Sequence, residues 1–189
     1  DKAVTSWREQ GFDIISVNST AEIIPLKTHF STVSLIATHD PCYRFKNNDL
    51  ISINSILSIL KNQEKKYCAL INPDIVLKNI EASQISRILS QTSPYSLIFA
   101  NRMDQETEDD PGTRYDRGID VFFFSKDLLE LFPEIPSWMG FPWWDYFLPA
   151  FCIIKGYPVK RIDQPIAFHK KHPQSYGIHE HWIPLALST

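Results

Sequence analysis

Short apolar runs alternate with amphipathic stretches along most of the chain. The apolar runs predict strands, and they lie at 13–18, 33–37, 67–71, 95–100, 119–124, 159–162 and 166–168. The amphipathic stretches predict helices, at 1–11, 21–26, 52–61, 82–91, 126–131 and 143–155. This alternation predicts an α/β sheet with helices on both faces, in which ligands bind at the carboxyl ends of the strands.

Two features of this pattern carry further expectations. The run at 67–71 has no polar alternation, which predicts a strand buried on both faces of the sheet. The polar segment 101–117 predicts a long loop, and a long loop beside the ligand end of a sheet is a candidate lid.

Composition narrows the class of protein. The chain has 189 residues, 43% of them hydrophobic, and no internal repeat or linker, so we expect one domain spanning 1–189. A formal net charge of −3 argues against a nucleic-acid-binding surface, and no apolar run is as long as a membrane span. We therefore expect a soluble, cytoplasmic protein. The chain begins inside a predicted helix without a Met or a preceding strand, which is typical of a fragment.

The segment Asn72-Pro73-Asp74 interrupts an apolar strand with a carboxylate. A carboxylate at the end of a buried strand is costly unless it is paired, hydrogen-bonded or bound to a metal. Because Pro73 cannot donate a backbone hydrogen bond, the strand stops there and Asp74 turns outwards. One interpretation is a carboxylate that holds a divalent cation against phosphate oxygens. The alternative is a turn between two strands, in which these residue types are common.

An aromatic segment runs from Trp138 through Gly140 to Asp145. Aromatic rings in a loop before a helix can stack against a sugar. Asp145 falls in the first turn of the predicted helix, where the helix dipole favours its charge while the neighbouring rings desolvate it, as a general base requires. The alternative is an aromatic cluster that closes one end of the core.

Four histidines lie near the end of the chain, at positions 169, 172, 179 and 181. A zinc site made of these alone is disfavoured, because zinc usually takes thiolate or carboxylate ligands as well and no cysteine is nearby. His169 directly follows a predicted strand, where its imidazole can complete the coordination of a metal held by Asp74.

Taken in order, these segments resemble a glycosyltransferase of the GT-A fold over nearly the whole chain. The similar segments are the opening helix, the strand that ends in an Asp-x-Asp-type motif, the strand before the acceptor-side helix, the aromatic segment that ends in an acid, and a late histidine. They correspond to Ala3–Trp7, Leu70–Ile75, Gly118–Ser125, Trp138–Asp145 and Ala167–His169. The resemblance implies a single mixed sheet flanked by helices, whose first strand is absent from the sequence given. Asn72 departs from the family pattern, because it stands where the motif has its first acid.

The resemblance also implies a function, which is transfer of a sugar from a nucleotide-sugar donor to an acceptor hydroxyl with inversion, assisted by Mn²⁺ or Mg²⁺. Asp145 is the implied base, and Asp74 and His169 are the implied metal ligands. The implied donor-binding residues are Asn72, Asp74 and Arg102, and the implied acceptor-binding residues are Trp138, Gly140, Trp143 and Trp144.

Two alternatives stay open at this point. A nucleotidyltransferase shares the α/β sheet and the metal carboxylate, but it normally brings a glycine-rich phosphate loop, and the six glycines here are not clustered. A non-catalytic carbohydrate-binding or scaffolding domain of the same fold is the other alternative.

Overall fold

The computed structural model describes residues 2–38, 42–45 and 48–172. Its helices are α1 (Lys2–Glu9), α2 (Thr20–His29), α3 (Ile53–Lys61), α4 (Ala82–Ser90), α5 (Lys126–Leu129) and α6 (Trp144–Ile154). Its strands are β1 (Ile15–Ser19), β2 (Ser34–Thr38), β3 (Tyr43–Phe45), β4 (Asn48–Leu50), β5 (Tyr67–Ile71), β6 (Ile75–Leu77), β7 (Leu97–Gln105), β8 (Thr113–Ser125) and β9 (Val159–Lys170).

The central sheet has five strands in the order β5-β8-β7-β9-β6. β7 and β9 are parallel, whereas β8 runs antiparallel to both of its neighbours and β6 runs antiparallel to β9. Two smaller sheets accompany it, the parallel pair β1-β2 and the antiparallel hairpin β3-β4. The expected α/β fold, a mixed sheet flanked by helices, is therefore confirmed.

Strand β8 explains why helices cover both faces of the central sheet. Successive side chains of a strand point to opposite faces. Phe122 and Phe124 pack on one face, in a core shared with α3, α5 and α6, while Val121 and Phe123 pack on the other face with α4. All four side chains are completely buried. Among the described residues, no helix is long and apolar enough to cross a lipid bilayer.

The predicted loop at 101–117 is wrong in extent. β7 continues to Gln105 and β8 starts at Thr113, so the polar residues between them form a hairpin in which Arg102 pairs with Tyr115. The segment that connects the two strands is residues 106–112, so the long loop on which the lid expectation rested is not present. The polar ends of β7 and β8 lack the apolar pattern that predicts a strand. The part of a strand that extends beyond its covering helices does not need an apolar face.

Helix α1 is fixed to the sheet by polar groups of Ser6, which is buried, and Trp7, which is partly buried. The Ser6 hydroxyl accepts a hydrogen bond from the backbone N–H of Leu77, at 2.9 Å, and donates to the carbonyl of Ala3. The indole N–H of Trp7 donates to the carbonyl of Ile75 at 2.8 Å. These contacts satisfy groups of β6 that no neighbouring strand pairs on that side.

Replacing this hydroxyl tests the attachment of α1. We expect Ser6→Ala to lower the free energy of unfolding by about 1–3 kcal/mol, because the buried N–H of Leu77 loses its acceptor. The control is Ser90→Ala, which removes an exposed hydroxyl and should change stability by less than about 0.5 kcal/mol. Urea unfolding measures both, and equal effects would show that the Ser6 contact does not stabilise the fold.

Candidate functional site

The turn between β5 and β6 presents Asp74. The backbone N–H of Asn72 donates to the carbonyl of Asp120 at 3.0 Å, and its side-chain amide donates to the Asp120 carboxylate. Pro73 ends the pairing, and the Asp74 side chain emerges half-exposed. Among the described residues, the side-chain carbonyl oxygen of Asn72 has no hydrogen-bond partner, and it is buried.

Asp74 meets two histidines. Its carboxylate oxygen Oδ2 lies 3.4 Å from Nε2 of His169 and 3.4 Å from Nε2 of His172. One ligand atom from each of the three residues lies within 4.8 Å of the others. Sheet register explains the proximity, because Ile75 pairs with His169 across β6 and β9.

Asp104 orients the buried ring of His169. Its carboxylate lies 3.0 Å from Nδ1 of His169, and the two residues face each other across β7 and β9. A carboxylate on Nδ1 fixes the tautomer and leaves Nε2 free to bind a metal, which is the usual arrangement behind metal-binding histidines.

Asp74 and His169 shift each other's pKa. Desolvation alone would raise the pKa of Asp74, but hydrogen bonds from His169 and His172 and attraction to His169 lower it below its usual value. The hydrogen bond to Asp74 raises the pKa of His169, against the effects of burial and of the Arg102 charge.

The donor set of Asp74, His169 and His172 fits a divalent first-row metal. Carboxylate and imidazole ligands together suit Mn²⁺ better than Mg²⁺, which prefers oxygen ligands.

Arg102 lies beside the same histidine. Its guanidinium contacts the Asp104 carboxylate at 2.8 Å and the Asp120 carboxylate at 3.4 Å, and it lies 4.7 Å from the centre of the Tyr115 ring. Asp120 is 5% exposed, and burial raises its pKa although Arg102 and Asn72 oppose that shift. Arg102 therefore forms ion pairs with two carboxylates of the protein itself, those of Asp104 and Asp120.

Asp145 occupies the first turn of α6, next to Trp143, whose φ of 79° is in the left-handed region. A bulky residue there is strained, and such strain is concentrated at functional sites. Burial and, secondly, the charge of Asp120 raise the pKa of Asp145 to about 7, while hydrogen bonds from nearby backbone N–H groups oppose the rise. Asp120 thus links Asp145 to the turn that carries Asp74. Its charge acts on Asp145, and its carboxylate accepts a hydrogen bond from Asn72 in that turn.

The aromatic residues expected to bind an acceptor fall into two groups. Trp138 and Trp143 are partly exposed and pack against Tyr43 and Tyr146, respectively, and Gly140 is exposed with a φ of 79°. Trp144 is 3% exposed and packs edge-on against Phe122 in the core. Its ring is not available for stacking, because the αL conformation of Trp143 starts the helix with position 144 facing inwards.

Three residues that sequence reasoning did not assign belong to this site, namely Asp104, Asp120 and His172. Asp120 carried a signal, since it is a lone charge within the apolar run 119–124. Asp104 lay in the segment interpreted as a loop. His179 and His181 lie outside the described residues.

Comparison with solved structures shows a likeness in fold. A crystal structure described as a candidate glucose-1-phosphate thymidylyltransferase from Bacillus anthracis, in complex with a sucrose, matches with a TM-score of 0.54 and 7% identity, over 87% of this chain and 73% of that chain. HddC from Yersinia pseudotuberculosis matches with 15% identity over 92% of this chain and 76% of that chain, but its TM-score of 0.46 supports no argument. No family model and no curated protein matches the chain. The first likeness shows a shared fold alone.

Metal titration tests the histidine cluster. We expect the chain to bind Mn²⁺ in calorimetry, His169→Ala to weaken binding by at least about 100-fold and Asp104→Asn by about 10-fold, since the first removes a ligand and the second its support. His29→Ala, which removes an exposed ring on α2, is the matched control. Equal affinities in all four proteins would exclude the site.

The pKa of Asp145 predicts how stability depends on pH. Folding raises this pKa from 3.8 to about 7, so the folded state favours the protonated carboxyl. The resulting contribution to the free energy of unfolding is fully present below about pH 4 and is lost as the pH rises through 7. Asp145→Asn should therefore match the parent chain near pH 4 and be more stable by roughly 2–4 kcal/mol at pH 8. Unfolding curves at the two pH values measure this, and a variant that is less stable at pH 8 would contradict the assigned pKa.

Proposed function

We propose that this protein is a transferase acting on nucleotide sugars, and that it transfers the sugar to an acceptor hydroxyl with inversion. One observation carries the proposal. Asp145, with a pKa of about 7, belongs to the same connected group of acids as the Asp74, His169 and His172 cluster. A base suited to neutral pH and a metal-competent cluster together match what glycosyl transfer from a diphosphate donor requires.

The donor side consists of Asp74, His169 and His172. A divalent metal bound there, Mn²⁺ in preference to Mg²⁺, would supply positive charge opposite the diphosphate leaving group. Asp104 keeps Nε2 of His169 directed at this position by holding Nδ1. Asn72 supports this side by fixing the turn of Asp74 through its side-chain hydrogen bond to Asp120.

The acceptor side consists of Asp145 and the aromatic residues before it. With a pKa of about 7, the Asp145 carboxylate is about half ionised at neutral pH and takes the proton of the acceptor hydroxyl as that oxygen attacks the anomeric carbon. Trp138 and Trp143 offer partly exposed rings against which a sugar can stack. The neighbouring Asp120 carboxylate is held by Arg102 and Asn72, so we assign the role of base to Asp145 alone. A single base corresponds to one displacement, and therefore to inversion.

Nucleotidyl transfer is the second candidate. It is favoured by the likeness in fold to the structure described as a thymidylyltransferase. The same metal cluster would then serve attack of a sugar phosphate on a nucleoside triphosphate, and Asp145 would have no proton to remove, because a sugar phosphate is already ionised at neutral pH.

The role of Asp145 distinguishes these candidates. In the presence of Mn²⁺ and a panel of nucleoside-diphosphate sugars, we expect release of nucleoside diphosphate that rises with pH to a plateau, with an apparent pKa of about 7. Asp145→Asn should lower kcat by about 10²–10⁴-fold and leave the Kd of the donor unchanged, because it removes only the base.

Asp127→Asn is the matched control, since Asp127 is also a first-turn acid of a helix but is exposed on α5. Its kcat should equal that of the parent chain. Equal activity of the two variants would refute the role of Asp145. Release of pyrophosphate from a nucleoside triphosphate and a sugar 1-phosphate would establish the second candidate instead.

A further inference from the structure

The outward side of helix α6 is apolar. Five positions, spaced as one face of a helix, carry no charge, and we call them the α6 stripe: Tyr146, Phe147, Ala150, Ile153 and Ile154. The first two are partly exposed, and the last three are exposed. The opposite side of α6 is apolar as well and packs in the core, where Trp144, Leu148 and Cys152 are buried.

The exposure of the stripe is unusual for its composition. Ile153 and Ile154 are 65% and 81% exposed. Single exposed apolar residues are ordinary, but a surface helix normally presents polar residues to water on the side away from the core. The only charged residue of α6 is Asp145, which lies off the stripe. A continuous exposed apolar face of this kind marks a surface that contacts a membrane or another molecule.

Cations and aromatic rings lie at both ends of the stripe. At its start, the hydroxyl of Tyr146 donates a hydrogen bond to the backbone carbonyl of Arg117, an exposed cation. At its end, the exposed Lys155 follows Ile154 directly, and the partly exposed Tyr157 comes two residues later. An apolar face with aromatic and basic residues around it is typical of helices that lie in the headgroup region of a bilayer, where the cations attract anionic lipids.

The dimensions of α6 favour a bilayer over a second copy of the chain. Its eleven residues form a helix about 16 Å long, roughly half the thickness of a bilayer's hydrocarbon core, so α6 is too short to cross. Its outward face presents on the order of 200 Å², whereas a stable protein interface buries about 800 Å² on each partner. A bilayer requires no matching partner surface, because apolar side chains partition into it individually.

We propose that the α6 stripe is a bilayer-contact surface, and that it lies in the headgroup region of a membrane that contains anionic lipids. Ile153 and Ile154 enter the apolar layer, while Arg117 and Lys155 stay at the level of the lipid phosphates. Helix α6 then runs parallel to the membrane plane.

The stripe is continuous with the proposed acceptor side of the site. Tyr146 follows Asp145 directly, and its ring packs 5.6 Å from that of Trp143. A bilayer on the stripe therefore brings the headgroup layer next to Asp145. This step rests on the proposed function: an acceptor hydroxyl that Asp145 deprotonates at this position belongs to a sugar carried by a lipid.

Vesicle binding tests the surface without reference to activity. The 189-residue protein is sedimented with vesicles of phosphatidylcholine and phosphatidylglycerol in equal parts, without donor or metal. We expect Ile154→Gln to weaken binding by at least about fivefold, because it removes an apolar side chain from the bilayer. The matched control is Ile24→Gln on α2, since Ile24 is 78% exposed and lies on another helix, and it should not change binding.

The lipid charge tests the basic end of the stripe. Lys155→Gln should weaken binding to the mixed vesicles by about fivefold and leave binding to pure phosphatidylcholine vesicles unchanged. Absence of vesicle binding by the parent chain, or equal affinities of the parent, Ile154→Gln and Ile24→Gln proteins, would overturn the proposal. A dimer that Ile154→Gln dissociates in sedimentation velocity, in a chain that does not bind vesicles, would overturn it in favour of a second copy.

Acceptor preference tests the substrate class. With Mn²⁺ and a nucleoside-diphosphate sugar, we expect dodecyl glycosides carried in vesicles to have a KM at least about 10-fold below that of the methyl glycosides of the same sugars, and Ile154→Gln to remove the difference. Equal KM values would overturn the lipid-borne acceptor. Vesicle binding without transfer to any acceptor would contradict the proposed function instead and would leave the bilayer contact supported.

Discussion

The contact between one guanidinium and two buried carboxylates holds the site together. The side chains of Arg102, Asp104 and Asp120 are 20%, 14% and 6% exposed, so none of these charges is well solvated. Removing one partner of a buried ion pair typically costs about 3–5 kcal/mol, because the other charge is left unpaired. Each acid that Arg102 neutralises then positions a further group. Asp104 holds the ring of His169, and Asp120 holds the amide of Asn72.

This arrangement lets two acids in one region behave differently. Asp74 stays ionised because the imidazoles of His169 and His172 offset its desolvation. Asp145 has no such partner and faces the negative charge of Asp120, so its pKa rises to about 7. We propose different roles for the two acids, Asp74 as a metal ligand and Asp145 as a base. The difference follows from their neighbours, since both residues are aspartates.

The sequence predicted the elements better than the contacts between them. The places of Asp74 and Asp145 in the fold were predictable, because a proline break in an apolar strand marks the first and the start of a helix marks the second. The link between them depends on the pairing of Asn72 with Asp120, 48 residues away, which no local pattern encodes. The inward position of Trp144 depends on the left-handed φ of Trp143, which the residue type does not suggest. Within the described residues β5 stands at the end of the central sheet, which its sequence does not indicate, since the sequence predicts only burial on both faces.

A crystal soaked in Mn²⁺ and a nucleoside-diphosphate sugar tests the central claim most directly. Anomalous scattering locates the metal without reference to activity. The account predicts one strong peak within ligand distance of Asp74, His169 and His172, with the diphosphate bound to it and the sugar facing Asp145. A peak elsewhere, or a nucleotide sugar bound away from Asp145, would contradict it.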